Sequence, residues 1–121
     1  MSFRFLFLLL FFMGACQKVE RMKKPANLIS DKVMVEVLID LAKIDAARSI
    51  DAEKFDEYGG KRAKQLLFEK YHIDSVQLVQ STAYYAEHLK MNDSIYSRVK
   101  RRLKKESDSL LILKNGAPDS E

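Results

Sequence analysis

The chain has 121 residues, enough for one domain rather than two. Its single cysteine excludes an intramolecular disulfide framework. Of its 21 Lys+Arg only Arg4 precedes Cys16, so the remainder carries a net charge of +3 against 17 Asp+Glu, too modest to imply a polyanionic partner.

The first element is an apolar start. Met1 to Arg4 carries one positive charge, and Phe5 to Ala15 is uncharged and apolar throughout. A membrane-crossing helix needs about 20 residues, so this run is too short to span a bilayer. It has the length and position of the apolar region of a signal peptide. Five of the seven phenylalanines lie here, before Cys16, and so are not expected in the fold. Gly14 and Ala15 then supply the small side chains that a peptidase needs beside its cleavage point.

Met13-Gly14-Ala15-Cys16 resembles the lipobox of a bacterial lipoprotein signal, with Met13 where leucine is usual. The resemblance implies cleavage between Ala15 and Cys16. It also implies a thioether-linked lipid on Cys16, which becomes the acylated mature N-terminus. The sulfur is the nucleophile that takes the lipid. A free cysteine in an apolar helix and an ordinary secreted protein are the alternatives. Gln17 is not the aspartate associated with inner-membrane retention. The mostly basic stretch Lys18 to Lys24 also differs from the acidic cluster common in surface-exported lipoproteins. By analogy, the expected location is the outer membrane, facing the periplasm.

Residues 16–27 read as a tether that ends after Pro25. Ser30 is an expected N-cap, with Asp31 in the first turn where the helix dipole favours an anion. The spacing predicts a helix over Asp31 to Ser49 with Met34, Val37, Leu38, Leu41 and Ile44 on one face. Lys32, Glu36, Asp40 and Lys43 occupy the other. Asp45 falls near the middle of the apolar face and Arg48 at its edge, three residues apart and able to pair. They form a candidate polar site or a structural ion pair.

Ser49 to Glu57 is expected to turn, with Asp51 as a cap. A second helix, using Ala63, Leu66, Leu67 and the stem of Lys70, should reach Tyr71; Gly59-Gly60 obscures its start. His72-Ile73-Asp74 breaks it. Asp74 caps a third helix, Ser75 to Lys90, with Val76, Val79, Ala83, Ala86 and Leu89 inward. Met91-Asn92-Asp93 reads as a turn before a fourth helix, Ser94 to Leu113. On that helix Tyr96, Val99, Leu103, Glu106, Leu110 and Leu113 form a heptad-like seam. Asn115 to Pro118 ends the helix, and residues 114–121 are expected to be a disordered tail. No strand-like alternation is present. The fold class is therefore all-α, a small bundle of about four helices over residues 28–113, after a removed signal peptide over 1–15.

The mature part also resembles a domain-of-unknown-function family of small Bacteroidetes lipoproteins. The residues that carry the likeness are Pro25, Leu28-Ile29, Val37 to Leu41, Tyr71-His72-Ile73, Ser81 to Tyr85, Ile95-Tyr96 and Val99. It spans roughly residues 25–105 and implies a helical fold and a lipoprotein setting, with no activity attached.

The candidate chemistry is sparse. Tyr84 and Tyr85 point about 100° apart on a helix. They are either an aromatic binding surface or packing residues whose hydroxyls reach water. His72 and His88 are too far apart, and on different elements, to suggest a metal site. Ser81 with His88 lacks the strained nucleophile elbow of a hydrolase. Arg98, Lys100, Arg101, Arg102, Lys104 and Lys105 form a dense basic run. Export would exclude nucleic acid, leaving a solvated face, an anionic lipid surface or an acidic protein partner. The expectation is a lipid-anchored envelope protein with a non-catalytic interaction or support role, with no catalytic residue, metal or cofactor beyond the lipid on Cys16. The partner surface is expected at Arg98, Arg101, Arg102, Lys104, Lys105, Tyr84 and Tyr85. The alternative is a small ligand-binding or enzymatic domain centred on Asp45 and Arg48.

Overall fold

The computed structural model describes residues 21–116. The described residues form five α-helices: α1 (Asp31–Ile50), α2 (Ala52–Glu57), α3 (Ala63–Tyr71), α4 (Ser75–Glu87) and α5 (Leu89–Gly116). A 3-10 turn, Gly60–Arg62, joins α2 to α3. The all-α expectation therefore holds among the described residues, with five helices where about four were expected. The expected signal peptide over 1–15, Cys16, and residues 117–121 of the expected tail lie outside the described residues.

Three of the helix starts follow from local chemistry. The Ser30 hydroxyl accepts from the Val33 amide at 3.4 Å. Asp51 accepts from the Lys54 amide at 3.0 Å and Asp74 from the Gln77 amide at 2.7 Å. Each satisfies an amide that the first helical turn leaves without a partner. The backbone of Gly59 is left-handed, with φ 89°, a conformation that costs glycine little. A Cβ on Gly60 would collide with the Phe55 ring, so this turn needs both glycines for separate reasons.

The central element is α1, which packs against α5, α3 and α2. A helix covered on several sides has no single apolar face. Val35 and Ile39 are buried together with Met34 and Val37, so the narrower face read from spacing is corrected. The β-branched residues in this helix are mediocre helix formers, and tertiary burial compensates for them. The core cluster joins Ile29, Met34, Val35 and Ile39 to Tyr85 of α4 and to Ile95 and Val99 of α5. On α3, Leu67 is buried while Leu66 is exposed.

Three boundaries also differ from the spacing: α2 lies inside the expected turn Ser49 to Glu57, α5 continues through residues 114–116 of the expected tail, and the link between α4 and α5 is displaced. The break between α4 and α5 falls at His88, not at Met91 to Asp93, which lie inside α5. The His88 carbonyl accepts from the amides of Met91 at 2.9 Å and Asn92 at 3.0 Å, starting the new helix. Its ring stacks on Tyr84, with centroids 4.1 Å apart.

The inner face of α4 is a second correction. Val76, Val79, Ala86 and Leu89 are exposed, and Ala83 is only half-buried. Leu78, Ser81 and Tyr85 face the core instead. The reason is polar. Ser81 is fully buried, and its hydroxyl accepts the Ile29 amide at 3.0 Å. The Tyr85 hydroxyl donates to the Ile29 carbonyl at 2.7 Å. One turn earlier, the Gln77 side-chain amide donates to the Asn27 carbonyl at 2.8 Å. Residues 77, 81 and 85 share one side of α4, so this side grips the extended backbone that leads into α1. An apolar stripe facing that backbone would have left its buried groups unsatisfied.

Candidate functional site

α1 and α5 are tied by three ion pairs in the same order along both helices, so the two run parallel. Arg98 donates to Asp31 at 2.8 Å, Arg102 pairs with Glu36, and Lys43 meets Glu106 at 2.6 Å. The seam position Glu106 thus has a partner on α1. Arg98 and Arg102 are internal ties, not free members of a basic patch. Lys104 pairs with Asp108 one turn along α5 at 3.0 Å. Lys100, Arg101 and Lys105 are exposed and form no ion pair among the described residues. Half-exposed pairs of this kind contribute about 0–1 kcal/mol each, so they act more on helix order and register than on stability.

A second polar cluster joins α1 to α3. Asp40 accepts from Lys70 at 2.7 Å and from the Tyr71 hydroxyl at 2.8 Å through the same oxygen. Burial would raise the Asp40 pKa. Hydrogen bonds from Lys70 and Tyr71 outweigh it and hold the carboxyl below the usual carboxylate range. Burial raises the Tyr71 hydroxyl, and its hydrogen bond to Asp40 adds to this. At Asp31 the hydrogen bond from Arg98 comes first and lowers the pKa. The folded-state pKa values of Asp40 and Asp31 lie below the unfolded ones. Their contribution is therefore present above the ordinary carboxylate range and disappears as pH falls through that range and below it. The expected outcome is a lower urea midpoint at pH 3 than at pH 7, with the loss reduced in Asp40→Asn. An acid loss of the same size in that variant would remove Asp40 as a cause.

Asp45 and Arg48 do not sit on a buried face. Both are exposed, and they form no ion pair with each other. They line a mixed cleft of about 300 Å³ where the end of α1 meets α2 and the 3-10 turn, together with Phe55, Asp56, Lys61 and Lys64. Tyr84 and Tyr85 meet edge to face, with centroids 5.8 Å apart. Tyr85 is a core residue whose hydroxyl is used internally, so the pair is not an exposed aromatic surface. His72 is exposed in a left-handed C-cap with φ 51°. No metal-ligating group of three or more side chains occurs among the described residues.

The most unusual surface is the end of α5. At 28 residues the helix is about 42 Å long. Every residue from 107 to 116 is exposed. Leu110, Leu111, Ile112 and Leu113 are between 54% and 72% exposed. The heptad-like seam is therefore covered only in part: Val99 and Leu103 pack in, Glu106 pairs with Lys43, and Leu110 and Leu113 run past the bundle. Tyr96, also a seam residue, is half exposed, while its neighbour Ile95 takes the core position. No described helix is long and apolar enough to cross a membrane.

A family model described as Domain of unknown function (DUF4296) matches residues 25–109. The match begins at Pro25, whose carbonyl accepts the Leu28 amide, and covers the Ser81–Tyr85 grip. It ends where the overhang of α5 begins. No curated protein and no solved structure matches the chain.

Proposed function

We propose, for a chain that belongs to the DUF4296 family, a non-catalytic role as a lipid-anchored envelope module that presents the end of α5 to a protein partner. The observation that carries this reading is the run Leu110 to Leu113, exposed on a helix that outreaches the fold supporting it. Four adjacent large apolar side chains in water are a liability for a monomer and suit a partner that covers them. Lys100, Arg101 and Lys105, which precede the overhang on α5 and form no ion pair among the described residues, favour an acidic rim on that partner. The non-catalytic part is supported by the use made of the shifted groups: Asp31, Asp40, Tyr71 and Arg102 all tie helices together. The lipid anchor and the periplasm-facing outer-membrane location rest on Cys16 and the residues around it.

The test is partner recovery from envelope extracts with Leu110→Asp and Leu113→Asp combined. Both sites are exposed, so the cost to folding should stay within about 0.5 kcal/mol each. Loss of one anchor worth about 2 kcal/mol lowers affinity about thirtyfold. Recovery equal to wild type would sink the reading. The alternative, a ligand site around Asp45 and Arg48, is favoured by the cleft that holds both. Recovery lost in Arg48→Ala and kept in the α5 variant would select it.

A further inference from the structure

α4 turns the side that carries Ser81 and Tyr85 inward and leaves its more apolar stripe exposed. Opposite Leu78, Ser81 and Tyr85 lie Val76, 62% exposed, Val79, 68% exposed, and Ala86. Leu89, just past the break at His88, is 71% exposed. Single exposed apolar residues are ordinary, but a stripe along one side of a helix marks a surface that something covers.

The path of the chain indicates what covers it. The Met22 amide donates to the Glu87 carboxylate at 2.6 Å, so the upstream segment leaves the domain at the end of α4. Glu87 adjoins Ala86 on the outward side and stands two residues before Leu89. Cys16 precedes Met22 by six residues, which span at most about 20 Å when fully extended. An attachment at Cys16 can therefore reach no farther than about 20 Å from Met22, a range that takes in this stripe. Residues 17–24, which include the connecting stretch and the two residues after Met22, hold Lys18, Arg21, Lys23 and Lys24 against Glu20 alone, a charge balance that suits anionic head groups.

We infer that the outer face of α4 rests on an anionic bilayer surface, with Val76, Val79 and Leu89 at the level where head groups meet acyl chains. This rests on the reading of Cys16 as a lipid anchor. The lipid supplies the residence time, and the stripe sets the orientation. α5 starts at this contact, so its exposed tip lies at the far end of a helix about 42 Å long. Membrane contact and partner surface are thereby separated along one element.

The chain has no tryptophan, so a single Val79→Trp or Ile112→Trp is a clean reporter. Each full-length variant is expressed in a lipoprotein-processing host and purified from membranes. It is then reconstituted into phosphatidylcholine–phosphatidylglycerol vesicles with brominated acyl chains. Intact mass reads whether Cys16 carries lipid. The expected result is a blue shift at position 79 and loss of more than about half of its emission, consistent with shallow burial at the acyl boundary. Position 112 should keep its emission. Val76→Trp serves as a second reporter on the same stripe. A lipidated chain with no quenching at 79 and 76, or with quenching at 112 instead, overturns the orientation and leaves the anchor standing. A chain of unmodified mass overturns both, and the mass distinguishes the two failures.

Discussion

Replacing Tyr85 by alanine is expected to lower stability by about 3–5 kcal/mol, read as a shift in the urea midpoint with circular dichroism as the probe. A small domain has only about 5–15 kcal/mol in total, so this loss removes a large share of it. Two losses combine. The ring, 3% exposed, fills the space between Ile29, α1 and α5, and its removal leaves a cavity. The hydroxyl also releases the Ile29 carbonyl it holds at 2.7 Å. Tyr85→Phe separates them, since it keeps the ring and should cost only about 1–2 kcal/mol. Ser81→Ala strips the partner from the Ile29 amide and should cost about 1–3 kcal/mol, the penalty for a buried donor left alone. Ser81 and Tyr85 hold the two polar groups of one residue, so the double variant should cost less than the two singles together. Strict additivity, or a Tyr85→Ala midpoint equal to wild type, would remove the grip on residue 29 as the device that sets α4.

The second large effect is at Cys16. Cys16→Ser is expected to abolish incorporation of labelled fatty acid and to move the protein from the membrane fraction to the soluble one. Serine is nearly the same size, but its hydroxyl is a far weaker nucleophile than a thiol or thiolate. Each buried CH₂ is worth about 0.8 kcal/mol; one chain holds only marginally, and several hold firmly. On the anchor reading, losing the attachment atom is expected to lose nearly all of the membrane affinity. Unchanged labelling in the serine variant would end the anchor reading.

How far the sequence could be read depended on the range of the interaction. Ser30, Asp51 and Asp74 were legible as caps because a cap bonds an amide two or three residues away. The left-handed His72 falls where a break was expected, and the Gly59-Gly60 turn falls where those glycines obscure the start of the second helix, Gly59 for a local steric reason. The face of α4 was not legible. Val76, Val79, Ala83, Ala86 and Leu89 form the better apolar stripe, yet the helix turns Ser81 and Tyr85 inward to satisfy a backbone more than 50 residues away in sequence. The Ser81 to Tyr85 motif did stand out as a pattern, without its reason being visible. The basic run was legible as charge and not as function. Charge counting cannot show that Arg98 and Arg102 are neutralised by Asp31 and Glu36 across a helix contact.

The residues alone decided the class of this protein: helical spacing, caps, breakers and the absence of strand alternation all act within a few residues, where chain connectivity already fixes which groups meet. They also place one apolar segment and the single cysteine ahead of the described helices in the chain. Tertiary structure decided the rest: that α1 lies at the centre and needs no single face, that α4 faces inward through a serine and a tyrosine, and that α5 runs beyond its support. These outcomes depend on which buried polar groups find partners and how far two helices overlap. Both are set by residues distant along the chain, which no local pattern records.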